Sequence, residues 1–220
     1  MSSPARLPLF PLPLVLFPGA ALPLHVFEPR YRALLADCRA GDGRFGIVTG
    51  GGEAPRAGAV GCVAELQDVA ALSDGRANIL VEGGARFVVV RVVAIGTPYF
   101  VAETEPVEDV VDAAATLRTL DARVRDAFGR VARAARSLAD DSSPLPALPA
   151  DPGALSFAVA AAVDLGLTAK QRLLASRSAA ERLSELDALL TAALPAVERR
   201  AEVHAGARSN GSGPHAPPTG

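Results

Sequence analysis

Tryptophan is absent from the 220 residues, lysine occurs once, cysteine twice and histidine three times. Each scarcity closes off a class of chemistry. The two cysteines, Cys38 and Cys62, lie in apolar stretches without histidines at ligand spacing, so they supply neither a disulfide framework nor a zinc site. They read as reduced, buried thiols of a cytoplasmic protein. The one lysine, Lys170, follows alanine rather than glycine, which leaves no Walker A loop and no ammonium to hold ATP phosphates. His25, His204 and His215 form no H-E-x-x-H pair, and no serine sits in G-x-S-x-G. Neither a metal, a cofactor nor a catalytic constellation is expected, and the chain does not read as an enzyme. A surplus of one charge is missing too: 22 basic residues face 24 acidic ones, for a net charge of −2. Duplex nucleic acid, which recruits clustered basic residues, is excluded as a first partner.

One long apolar run exists, residues 7–26, but Pro8, Pro11, Pro13, Pro18 and Pro23 interrupt it. Each proline removes a backbone donor and costs roughly 3 kcal/mol in a helix interior, so this run cannot cross a membrane as a helix. Only Arg6 precedes it, which is too little for a signal peptide.

What is present divides into two halves. Through about residue 107, Gly and Pro clusters separate short runs of Val, Ile, Leu and Phe. Strands are predicted at 7–12, 14–17, 44–49, 59–72, 77–82, 86–95 and 99–105. Asp74-Gly75 supplies a hairpin turn between two of them, and Gly83-Gly84 marks a second reversal. Strands this short hide their edges best by closing on one another, which favours a small barrel over an open sheet. A single helix, 29–40, interrupts them: Pro29 suits a first helical position, Glu28 the positive end of the dipole, and Gly41 a stop.

After Asp112 the apolar period lengthens to three and four residues, with Leu117, Leu120, Val124, Val131 and Leu138 on one face of a long helix. A proline-rich connection, 140–152, breaks it. Asp151-Pro152 opens a helix that Gly166 ends, and capping boxes at Thr168 and Ser178 announce two more. The last carries Leu183, Leu186, Leu190, Leu194 and Val197 to about Val203, with a kink expected at Pro195. Residues 205–220 read as a disordered tail.

Two motifs are decoys. Gly41-Asp42-Gly43-Arg44-Phe45-Gly46 has dinucleotide-binding spacing, yet a helix precedes it and a strand follows, so no helix N-terminus meets a phosphate. The acidic run Glu103, Glu105, Glu108, Asp109 and Asp112 reads as a solvated edge and as acids favoured near a helix start.

The blocks Leu7-Pro8-Leu9-Phe10-Pro11-Leu12, Leu16-Phe17-Pro18-Gly19, Leu22-Pro23-Leu24 and Phe27-Glu28-Pro29-Arg30-Tyr31 resemble the N-terminal substrate-binding domain of Lon proteases. The likeness continues in family order through 41–48, 61–65 and 74–83, with Arg86-Phe87. It extends into the helical half at Lys170-Gln171-Arg172-Leu173-Leu174 and Glu181-Arg182-Leu183. The resemblance implies an α+β chain: a small PUA-like β-barrel with one inserted helix over 1–110, then an α-helical bundle over 111–204. Since the chain stops before an ATPase or serine-lysine protease module could begin, the expectation is a stand-alone, non-catalytic module. Its partners would be unfolded, tagged or otherwise exposed polypeptide segments, passed to a separate protease or chaperone. A PUA-like barrel that binds a small molecule is the alternative, because fold alone does not fix function. Glu28, Arg30 and Tyr31, at the junction of the first β segment and its helix, are the expected polar anchors of a substrate site, with Arg86 and Phe87 as further candidates.

Overall fold

A computed structural model describes residues 5–145 and 147–211, with side chains through His204. Six strands form one sheet: β1 (Ala5–Leu12), β2 (Ala21–Val26), β3 (Arg44–Thr49), β4 (Val60–Ala71), β5 (Ala77–Val93) and β6 (Phe100–Pro106). Helix α1 (Pro29–Ala40) is inserted between β2 and β3. Four helices follow: α2 (Ala114–Leu138), α3 (Pro152–Ala162), α4 (Leu167–Ala175) and α5 (Ala179–Gly211). The chain is α+β.

The strand order is β2-β5-β4-β3-β1-β6, and β6 pairs back onto β5. Five strands thus make a closed circuit of pairings, with β2 attached to β5 alone. Only β1 and β3 are parallel. Register shifts in β4 and β5, at 62–64, 66–68 and 89–91, bend the strands as bulges do. Inside the circuit Leu9, Val48, Phe87, Val89 and Ala102 make a core cluster.

Two sequence expectations about strands are corrected. Residues 14–17 are not a strand; the second strand is β2, which begins four residues after Phe17. Nor does the chain reverse at Gly83-Gly84, since β5 runs unbroken through both. These glycines serve close approach. A Cβ on Gly83 would sit 2.0 Å from the Phe17 carbonyl oxygen, and Gly19 and Ala20 trade backbone hydrogen bonds with Gly83 there. Gly46 likewise makes room for the Phe87 ring, which a Cβ would meet at 2.5 Å. That is the service rendered by the last glycine of the dinucleotide-like motif.

The chain falls into two compact units, one reaching Val111 and taking in Pro149–Ala179, the other formed by Asp112–Leu148 and the chain from Ala180 on. So α3 and α4 group with the sheet rather than with α2 and α5, against the simple division at residue 110. Helix caps explain the local boundaries. Asp151 Oδ1 accepts the Ala154 N–H at 2.8 Å and starts α3, which stops at Ala162, before Gly166. Thr168 is not a cap; α4 already begins at Leu167, after Gly166.

In the second unit, Arg123 pairs with Asp187 at 2.5 Å and Arg130 with Glu198 at 2.9 Å. Both partners advance together along the chain, so α2 and α5 run parallel, and the intervening 139–178 supplies the return. Val124 and Phe128 of α2, and Leu183, Leu186 and Leu190 of α5, are buried. α5 continues through Pro195 and past Val203 to Gly211, further than its apolar stripe suggests. The rest of the expected tail, 212–220, lies outside the described residues.

Candidate functional site

The turn from β2 into α1 brings Glu28, Arg30 and Tyr31 together, but in different roles. Glu28 precedes the first helical residue and makes no side-chain cap. Its carboxylate instead accepts from Arg30, whose Nε lies 2.9 Å from Oε2. Arg30 Nη1 also donates to the Gly52 carbonyl at 3.3 Å, and the guanidinium lies 4.6 Å above the Tyr31 ring. The pair remains about one-third exposed, so Arg30 can still reach an outside group. Tyr31 is only 3% exposed and stacks on Phe10 at 3.9 Å between ring centres. Its hydroxyl has no hydrogen-bond partner among the described residues. Burial raises its pKa, with Arg30 opposing that shift. Tyr31 is therefore a core side chain rather than a surface anchor.

Arg86 and Phe87 are both buried, on opposite faces of β5. Arg86 is 5% exposed, and its Nη1 donates to the Leu174 and Ser176 carbonyls at 2.7 and 2.6 Å. Nη2 pairs with Asp109, and the guanidinium lies 5.1 Å from the Phe157 ring centre. Its donors join β5 to the C-terminal end of α4, where helix carbonyls lack intrahelical partners. Phe87 belongs to the core cluster. Neither residue meets Glu28 or Arg30 at a common surface. The acidic run is absorbed similarly: Glu103 pairs with Arg91, Asp109 with Arg86, and Asp112 accepts from the Ala180 N–H.

Reactive groups are quiet. Cys38 and Cys62 are free and buried, and burial pushes both thiols up to about 12, far from the ionised form a nucleophile needs. His25 Nδ1 lies 2.7 Å from Asn78 on the exposed face of the β2–β5 ribbon. Among the described residues no cluster of three His, Cys, Asp or Glu could hold a metal ion, and no helix is long and apolar enough to cross a membrane.

Two surfaces escaped the sequence reading. The first is β2 itself, an edge strand paired only with β5, at whose end Phe27 is 58% exposed while Leu80 of β5, opposite Pro23, is 40% exposed. Its signature was legible. Leu22, Leu24 and Val26 alternate with Ala21, Pro23 and His25, and a proline inside such a run marks an edge. The second is a groove of about 370 Å³ in the same unit. Its walls are the irregular segment 13–17, Ala21 and Leu22 of β2, Leu165 before α4 and Leu167 at its start, with Lys170 at hand. Gln171 holds α4 in place, its Oε1 accepting from Thr49 Oγ1 at 2.7 Å and its Nε2 donating to the Val60 carbonyl at 2.9 Å.

The family model of the ATP-dependent protease La (LON) substrate-binding domain matches residues 6–192. The Lon protease of Anaeromyxobacter dehalogenans (strain 2CP-C) is 31% identical over 215 residues, which cover 91% of this chain and 24% of that protein. The chain thus spans about a quarter of that relative's length. The crystal structure of a Lon N-terminal domain protein from Xanthomonas campestris is similar at TM-score 0.58 and 26% identity, covering 84% of this chain and 98% of the other. The N-terminal domain of a Mycobacterium avium complex Lon protease superposes with a TM-score of 0.66 over 85% of this chain and 98% of the other. At 19% identity, the latter likeness concerns the fold.

Proposed function

Because the chain belongs to the family of Lon substrate-binding domains, we propose that it is a non-catalytic module that captures unfolded or tagged polypeptide segments and delivers them to a separate protease or chaperone. The observation that carries this reading is the edge of β2. A strand with one neighbour offers main-chain donors and acceptors to an extended peptide, here interrupted at Pro23, which has no N–H, and side-chain pockets or apolar neighbours then supply preference. Phe27 and Leu80 are the apolar neighbours here. Glu28 and Arg30, next along the chain, form the polar rim; Phe87 supports the sheet from its core side and Arg86 ties its other face to α4.

The closed circuit of strand pairings supports a PUA-like barrel with α1 inserted, and the parallel α2–α5 pair supports a helical bundle after it. Two buried free thiols fit a reducing cytoplasm. The test is a titration of a labelled, reduced and carboxymethylated polypeptide against its native, folded form. Preference for the unfolded form is expected, with Phe27→Glu and Leu80→Glu each weakening it about tenfold at an unchanged melting temperature. Equal affinity for both forms, or full binding by both variants, overturns the proposal.

A further inference from the structure

The groove beside α4 has a chemical character that the strand edge lacks. Leu14, Val15, Leu22 and Leu165 are half-buried around it, and Leu167 is 42% exposed. Its volume of about 370 Å³ falls in the range of sites that enclose small ligands. Against these apolar walls stands one cation, Lys170, the only lysine among 22 basic residues. Its Nζ reaches the Ala161 carbonyl at 3.5 Å, the outer limit of a hydrogen bond, and meets no carboxylate among the described residues. By contrast, Arg86, Arg91 and Arg123 are each paired with an acid. The first turn of α4 contains no acidic residue and its N-cap makes no side-chain bond, so the positive end of that helix reinforces Lys170 instead of cancelling it.

An apolar trough with one underused ammonium is complementary to an apolar monoanion. Water competes poorly there, so a carboxylate gains more from Lys170 than it would on an open surface. Resting on the polypeptide-capture reading, we propose that the groove receives the C-terminal end of a polypeptide whose last residues are apolar, with Lys170 Nζ taking the terminal carboxylate. The direction of β2 agrees with this occupant. β2 runs from Ala21, in the groove wall, to Val26. A peptide added antiparallel to β2 therefore travels toward Ala21 and ends, carboxylate last, at the groove.

The experiment compares a ten-residue, N-terminally labelled peptide ending in Leu-Val-Leu as free acid and as C-terminal amide, read by fluorescence anisotropy on the full chain. The free acid is expected to bind about tenfold more tightly than the amide. Lys170→Gln should erase that difference without moving the melting temperature, Lys170→Arg should keep most of it, and Leu167→Asp should weaken both peptides. Equal binding of acid and amide, or a preference that survives Lys170→Gln, overturns the C-terminal site while leaving polypeptide capture standing. Binding of neither these peptides nor the carboxymethylated polypeptide defeats both readings. Tight binding of decanoate without peptide binding also overturns the proposal and makes the groove a site for a small amphiphile.

Discussion

Tyr31 and Arg86 show how differently two polar side chains survive burial. The Tyr31 hydroxyl is shut away without a partner, so it contributes a desolvation penalty while the ring contributes packing against Phe10. Tyr31→Phe should therefore leave stability unchanged or raise it by about 1 kcal/mol, whereas Tyr31→Ala should lower it by roughly 3–5 kcal/mol. Urea unfolding of the two variants checks this; a clear loss in Tyr31→Phe would mean that the hydroxyl is satisfied. Arg86 is the opposite case, a buried cation whose donors reach two carbonyls and Asp109. Arg86→Met takes the guanidinium away from the Asp109 carboxylate and from both carbonyls, so a loss of about 3–5 kcal/mol is expected. Arg86→Lys should restore only part of it, because an ammonium cannot reproduce the planar fork. A near-neutral Arg86→Met would reassign this residue from the fold to the surface chemistry.

Between elements, the decisive contact is the segment preceding β2 lying across β5 at Gly83. Gly83→Ala drives a methyl group into the Phe17 carbonyl, and since that carbonyl is backbone, the whole 13–20 segment must give way. A loss above about 2 kcal/mol is expected. Because 13–17 also forms a groove wall, the preference for a free peptide C-terminus should fall in the same variant while the β2 edge still binds. Melting curves and the acid–amide comparison test both halves. Much at this scale was readable beforehand. Helix α1, β3 and α3's Asp151 cap rest on signals within a few residues of each boundary: Pro29 and Gly41 for the helix, a βturn-to-strand change at 43–44, one carboxylate for the cap. β5 was misread because a glycine pair looks the same whether it turns the chain or admits a neighbour's backbone, and β2 because Pro23 interrupts its alternation. The same misreading put Arg86 and Phe87 just after a reversal, whereas both are buried within the continuous β5.

For the whole molecule, pH exposes the cost of keeping two thiols neutral. Cys38 and Cys62 move from an ordinary value near 9 to about 12, chiefly through burial. Between those values the unfolded chain releases protons that the folded chain retains, so stability is fully present below about pH 9 and falls as pH rises toward 12. The slope should reach about 1.4 kcal/mol per pH unit for each thiol. Urea titrations at pH 7, 9 and 10.5 should show it, and Cys62→Ala should roughly halve it, Cys38 supplying the rest; constant stability to pH 10.5 contradicts the burial. Residues 139–145, irregular and largely exposed, should be the first internal site cut by thermolysin, leaving the sheet intact. First cuts within β5 would refute that.

Residue order alone determined the α+β division, most helix starts and the likeness to Lon substrate-binding domains. All of these depend on composition or on signals spanning a few residues. Tertiary structure decided which strand lies at the edge, why Gly46 and Gly83 are glycines, that α3 and α4 group with the sheet, and that Lys170 stands against an apolar groove. These depend on which distant segments meet, and a strand's pattern of alternation says which of its faces is buried without saying which neighbour it will have.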